Sequence, residues 1–274
     1  MLKIFGAQKK FRISNFTMLI NNFFDFFIEH YKKTPHKKSL IFNPETENPK
    51  IFTFKDVYER VSSLQEQLQG LGVVKGSKVV LLAELNENFY FTALAVIALG
   101  AIPVFLEPKK EKLIRRLSST SFDFILLDPK LYFLKYIIPK LWLRKTFLFS
   151  KKIFGAAQLT ETSSKKKVHI EKMSPNDPLL ISFTTGSTGK QKAADRNYSV
   201  SYHQHVISMK HWLHNDNDVD LTFFPNILFQ NLSSGVTTLV PNMRVKEVPR
   251  KSNLRRSCRR SYFSTKDPRA LSKC

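Results

Sequence analysis

From Phe52 to Phe149, short apolar runs alternate with amphipathic stretches, and that alternation constrains the fold more than any other feature of the chain. Phe52-Thr53-Phe54-Lys55-Asp56 reads as a strand running into a helix whose stripe is Val57, Val61, Leu64, Leu68 and Leu71, ended by Gly72. Lys78 to Ala83 is an apolar run of strand length. Asn88 to Leu99 is a helix apolar on nearly every side, closed by Gly100 before the strand Ile102 to Leu106. Glu111 to Ser119, Phe122 to Leu127, Leu131 to Leu141 and Thr146 to Phe149 continue as helix, strand, helix, strand. Strands separated by crossovers of about a dozen residues pair in parallel. The expected class is therefore α/β, a mostly parallel sheet flanked by helices on both faces. Ahead of it, Asn21 to Lys33 sets Phe23, Phe26, Phe27 and His30 three and four apart, an amphipathic helix stopped by Pro35. That helix either packs on the core or, with basic Lys9, Lys10 and Arg12 nearby, lies on a membrane surface. Ser163 to Lys167 is polar and reads as a surface loop.

A chain of 274 residues, 42% of them hydrophobic, has enough apolar side chains for a substantial core and is not disordered throughout. Charges interrupt every apolar stretch short of the roughly 20 residues that a membrane span needs. Met1 to Ser14 is basic but lacks the apolar block and cleavage site of a secretory signal. Two cysteines, Cys258 and Cys274, build neither a disulfide framework nor a four-ligand zinc site, so a reducing, cytoplasmic setting is expected.

The charge is unusual: 44 Lys+Arg against 22 Asp+Glu, a formal net of +22, which points to an anionic partner. Residues 244–274 alone hold eleven basic and two acidic side chains. There the periodic pattern stops, Arg replaces Lys as the usual cation, and runs such as Arg255-Arg256-Ser257-Cys258-Arg259-Arg260 have no apolar face to bury. One reading is a solvated basic arm for nucleic acid or lipid headgroups. The abrupt shift away from Lys, Ile, Phe and Asn, residues of AT-rich codons, favours a shifted reading frame instead. The expected organisation is a basic extension at 1–20, a body at 21–243 and a basic tail at 244–274.

One segment carries chemistry. The apolar strand Leu179-Leu180-Ile181-Ser182-Phe183 runs into Thr184-Thr185-Gly186-Ser187-Thr188-Gly189-Lys190-Gln191-Lys192. Four hydroxyls and two glycines in six residues, closed by lysines, can turn backbone N–H groups inward and meet phosphate oxygens. The spacing is neither that of a Walker A loop nor that of a dinucleotide fingerprint. By composition alone, phosphate binding and an ordinary polar loop both stand.

Phe183 to Ala193 resembles the signature loop of the adenylate-forming enzymes, which include acyl-CoA synthetases, luciferases and peptide-synthetase adenylation domains. It departs from the usual form at Gln191, in place of proline, and at Ala193, in place of the last glycine. Phe52 to Pro108 is similar to the family's N-terminal pattern, with Gly72, Gly76 and Gly100-Ala101-Ile102-Pro103 in place. Val219 to Pro225 and Gly235 to Met243 look most like the long-chain fatty acyl ligases and the olefin-biosynthesis β-lactone synthetases.

The resemblance implies that ATP and a carboxylic acid, a fatty acid above all, form an acyl-adenylate. A thiol such as that of CoA, or an internal hydroxyl, then displaces AMP. Thr184, Thr185, Gly186, Ser187, Thr188 and Gly189 would cradle the β- and γ-phosphates, with Lys192 as the catalytic point charge. Phe229, Gln230 and Asn231 fall in the family's second motif, which lines the acyl tunnel; Ile227, Leu228 and Phe229 suit an acyl chain, or equally pack a helix. Many relatives have a histidine in that motif, and this chain has none.

His203, His205, His211 and His214 are spaced so that they share no helical face, and are read as surface or core-edge residues rather than a metal site. The family's later motifs, for adenine and Mg2+, for the ribose, and for a mobile domain with a second lysine, do not follow Met243. The expectation is an N-terminal half, inactive and aggregation-prone alone, with its magnesium ligand outside the chain. A non-catalytic basic protein that holds nucleic acid or anionic lipid is the alternative. On the adenylating reading no specific nucleic acid is expected, and membrane contact would fall to the basic N-terminus.

Overall fold

The computed structural model describes residues 22, 24–106, 110–149, 153–184, 192–211, 218–222 and 224–241. In chain order they form α1 (Phe24–Lys33), β1 (Lys38–Phe42), β2 (Lys50–Thr53), α2 (Phe54–Gly70), β3 (Lys78–Leu82), α3 (Glu87–Ala98), β4 (Ile102–Phe105) and α4 (Lys110–Ser119). Then follow β5 (Phe124–Leu127), α5 (Leu134–Ile137), α6 (Pro139–Trp142), β6 (Lys145–Leu148), β7 (Ala157–Gln158), β8 (Pro178–Thr184), β9 (Lys192–Asn197), α7 (Tyr198–His211), β10 (Val219–Leu221), α8 (Pro225–Ser234) and β11 (Thr237–Val240).

The larger sheet has seven strands in the order β7-β6-β5-β3-β4-β8-β9, parallel except where β9 folds back on β8. This is the expected α/β class. Alternate residues of its strands feed two cores, as a sheet covered on both faces requires. Val79 and Leu81 of β3 enter the core shared with α1, α2, α3 and α8, whereas Val80 and Leu82 face Leu113 and Leu117 of α4 and Leu134 and Leu141 of α5 and α6.

A second sheet has the order β10-β11-β1-β2; of its strands the sequence predicts only β2, from the run at Phe52-Thr53. Its central strand β1 pairs in parallel with β11, Leu40 opposite Thr238, and antiparallel with β2. Leu40 and Phe42 of β1 join the first core.

Local chemistry sets the helix ends. The Thr53 hydroxyl accepts from the Asp56 N–H at 3.1 Å and the Asp56 carboxylate accepts from the Thr53 N–H at 2.8 Å, a reciprocal cap that starts α2. Asn86 caps α3 by accepting from the Phe89 N–H, and every residue of α3 is buried, including Glu87, Asn88 and Thr92, as its mostly apolar sequence predicts. The span Leu131 to Leu141, read as one helix, is broken into α5 and α6. Pro139 has no N–H to give and pushes Ile138 into an extended conformation, φ −106° and ψ 104°.

The polar stretch around Ser163 to Lys167 is irregular, as expected, but it is not loose. Ser62 of α2 donates its hydroxyl to the Lys166 carbonyl at 2.8 Å, and Gln65 exchanges two hydrogen bonds with the His169 backbone. Polar residues on α2 thereby satisfy a segment that has no secondary structure of its own.

Candidate functional site

Strand β8 carries the Thr/Gly-rich segment to the sheet's carboxyl edge. Parallel pairing sets Val104 of β4 opposite Ile181 and Phe105 opposite Ser182. On the other side β9 returns antiparallel, so that Thr184 and Lys192 are direct partners across a hairpin. The connection 185–191 therefore leaves from the carboxyl ends of β3, β4, β5 and β8, the edge where open α/β sheets take their ligands. Thr185, Gly186, Ser187, Thr188 and Gly189 lie outside the described residues, as do the side chains of Thr184 and Lys192.

Helix α8 comes to the same edge. Pro225 at its start suits a first turn whose N–H is unused. Gly235 ends it in the left-handed conformation, φ 74°, where an added Cβ would sit 2.4 Å from Nδ1 of His30 on α1. Phe229 is buried, and its ring centroid lies 6.4 Å from that of Phe105, whose backbone partner is Ser182, two residues before Thr184. The second-motif helix and the root of the Thr/Gly-rich loop are thus joined through one strand residue. Phe105 was not singled out from the sequence; its position as the last residue of a strand at the carboxyl edge is the signal that could have found it.

Gln230 and Asn231 point elsewhere. The Gln230 Nε2 lies 2.9 Å from Nδ1 of His205, which the Ser233 hydroxyl also approaches at 3.1 Å. His205 is buried on α7, with the Phe26 ring 4.2 Å away. Burial above all, and then the neighbouring His30, push its pKa down to about 4. Read as a surface or core-edge residue, His205 is a buried, neutral hydrogen-bonding partner of α8.

Asn231 is buried and donates to the Asp220 carboxylate at 2.8 Å and to the Thr238 hydroxyl at 3.1 Å, fastening α8 to β10 and β11. Beside it an open cleft of about 390 Å³ is lined by Asp220, Leu221, Thr222, Ile227 and Asn231. Ile227 lines that cleft, whereas Leu228 and Phe229 are buried in the first core. Among the described residues no three His, Cys, Asp or Glu side chains come together to hold a metal, and no helix is long and apolar enough to cross a membrane.

The described residues define an α/β domain in which β8 ends, and β9 begins, at the carboxyl side of a mostly parallel sheet. The match at residues 27–228 to the AMP-binding enzyme family covers most of the chain, and the chain belongs to that family. It is 24% identical over 219 residues to a 2-succinylbenzoate–CoA ligase of Bacillus cereus, covering 79% of this chain and 41% of that protein. It is 32% identical over 87 residues to a propionate–CoA ligase of Escherichia coli, covering 31% of this chain and 13% of the relative. An acetoacetyl-CoA synthetase from Streptomyces lividans superposes with a TM-score of 0.70 at 18% identity, over 80% of this chain and 38% of that one. An o-succinylbenzoate coenzyme A synthetase of Bacillus subtilis, in complex with AMP, gives 0.64 at 19% identity, over 86% and 58%. The fold is that of the N-terminal domain of adenylate-forming enzymes. The chain spans less than half the length of the curated relatives it matches.

Proposed function

We propose that the chain supplies the triphosphate-gripping half-site of an ATP-dependent acyl ligase. In a protein of the relatives' full length the activity would be adenylation of a carboxylic acid, a long-chain fatty acid above all, with CoA or an internal hydroxyl as the acceptor. The observation that carries this reading is the pairing of Thr184 with Lys192 across the β8–β9 hairpin at the sheet's carboxyl edge, with the α8 residue Phe229 against Phe105 beside it.

In the reaction a carboxylate oxygen attacks the α-phosphorus, an O–P bond forms, and the bond to the bridging oxygen of the β-phosphate breaks. Pyrophosphate leaves with the electron pair. The protein's task in this step is alignment and charge stabilisation. On this reading Thr184 to Gly189 offer N–H and hydroxyl donors to the β- and γ-phosphates, and Lys192 meets the charge that grows on pyrophosphate. Phe229 gives the acid an apolar wall, while Gln230 and Asn231 hold the wall's helix against α7 and β10. When bound, magnesium would add charge neutralisation on the phosphates; the described residues of this chain offer no cluster for it, and none is assigned to it.

The test is acid-dependent exchange of pyrophosphate into ATP by a protein of full length, across acids from propionate to palmitate. Exchange should appear with long-chain acids and fall by two or more decades in Lys192→Ala, since one preorganised donor is worth about 3–4 kcal/mol of transition-state stabilisation. An unchanged rate in Lys192→Ala refutes the role given to that lysine.

A further inference from the structure

The broken helix between β5 and β6 covers the second core with Leu134, Ile138 and Leu141, all buried. The remaining apolar side chains of the same segment are exposed: Phe133, Tyr136, Ile137, Trp142 (63% exposed) and Leu143 (89%). Phe154, 97% exposed, is held near this segment: the Tyr132 hydroxyl donates to its carbonyl and the Lys135 ammonium donates to the Gly155 carbonyl. Three aromatic rings and two aliphatic chains on one short segment, with a fourth ring fastened to its flank, are more apolar surface than scattered solvent-facing residues explain.

The electrostatics of the segment are one-sided. Residues 129–149 contain Lys130, Lys135, Lys140, Arg144 and Lys145, and no acidic residue. Lys140 donates to the carbonyls of Ser118 and Thr120 and lies over the Phe122 ring, which anchors it beside the segment. Two carboxylates from elsewhere approach these cations, Glu84 at 3.1 Å from Lys130 and Asp123 at 4.0 Å from Arg144, and the cations outnumber them.

We propose that this α5–α6 face, with Phe154, docks on the surface of an anionic lipid bilayer. Trp, Tyr and Phe favour the headgroup boundary, where a ring is half in hydrocarbon and half wet, and lysines beside them meet anionic headgroups. Single-stranded nucleic acid also takes aromatic and basic residues together, but it takes them as stacking platforms in a groove. Ile137 and Leu143 cannot stack on bases; they gain by entering hydrocarbon. The patch is separate from the β8–β9 hairpin and does not depend on the function proposed for that site.

The full chain is tested on vesicles of phosphatidylcholine with and without phosphatidylglycerol. In a Trp212→Phe background, Trp142 is the one remaining tryptophan. Its fluorescence should shift to the blue on phosphatidylglycerol vesicles and be quenched by brominated acyl chains. Trp142→Ser, Leu143→Ser and Phe154→Ser together should cut co-sedimentation with those vesicles at least tenfold, with an unchanged thermal melt because all three are exposed. The proposal is overturned if the vesicles do not bind. It is also overturned if they bind with Trp142 unquenched and the triple variant unaffected, which would assign binding to the basic termini. Quenching of Trp142 by a single-stranded oligonucleotide but not by vesicles overturns it in favour of nucleic acid.

Discussion

Phe229 of α8 and Phe105 of β4 meet with ring centroids 6.4 Å apart, and Phe105 is the strand residue that pairs with Ser182 at the root of the Thr/Gly-rich hairpin. A single contact thus joins helix α8 to the strand that pairs with β8 just ahead of the Thr/Gly-rich segment. Phe229 is also buried beside Phe24 and Phe27 of α1, so it supports the fold as well as the site. Phe229→Ala should cost about 3–5 kcal/mol in chemical denaturation. A cost under about 1 kcal/mol would mean that α8 does not depend on this contact.

The end of α8 offers a sharper comparison. Gly235 and Gly76 both have positive φ, 74° and 79°, but a Cβ at Gly76 meets nothing within 4 Å while one at Gly235 would strike the His30 ring at 2.4 Å. Gly76→Ala should cost about 1 kcal/mol, the backbone penalty alone. Gly235→Ala should cost clearly more, because His30 or the whole of α1 must shift. Equal melting shifts for the two variants would contradict the packing of α1 against α8.

His205 makes the fold acid-sensitive. Its folded pKa, about 4, lies below the ordinary histidine value of 6.5, so the unfolded chain binds the proton more readily. The stability tied to neutral His205 is complete above pH 6.5 and is lost as pH falls towards 4. At about 1.4 kcal/mol per unit the upper limit is about 3.5 kcal/mol, reduced by solvent screening. His30, also held low, chiefly by burial, contributes in the same sense. The difference in unfolding free energy between the wild-type chain and His205→Gln should therefore shrink as pH falls from 7 to 4.5. A constant difference would show that His205 titrates normally in the folded state.

The cap of α2 is a smaller, local case. Thr53→Ala removes the hydroxyl that accepts from the Asp56 N–H and should cost about 1 kcal/mol, read as a lowered denaturation midpoint with unchanged cooperativity. No loss at all would mean that Asp56 alone suffices to start the helix.

The parts of this fold that could be read from the sequence are those whose signal is local. Val79, Val80, Leu81 and Leu82 announce a strand buried on both faces, and the alternation of such runs with helical stripes fixes a parallel sheet. Strand β1 escaped notice although its antiparallel partner β2 follows closely in sequence; its other partner, β11, lies at the far end of the body and leaves no local trace. Pro139 was visible, yet an apolar stripe running past it concealed the break. At the site, the Thr/Gly-rich run after an apolar strand was legible. The turning of Gln230 towards His205 and of Asn231 towards Asp220 was not, because each depends on how α7, α8 and β10 pack.

On the proposed function the β8–β9 hairpin grips a triphosphate, and the net charge of +22 makes nonspecific polyanion binding the rival explanation. The most direct measurement is titration of the chain with ATP, GTP and tripolyphosphate at near-physiological salt, with and without residues 244–274, each with Lys192 intact or changed to Ala. Tail removal should leave triphosphate binding in place, ATP and GTP should bind alike because the grip is on phosphates, and Lys192→Ala should weaken all three at least tenfold. Binding that disappears with the tail and ignores Lys192→Ala would contradict the proposed function and identify the chain as a basic polyanion binder.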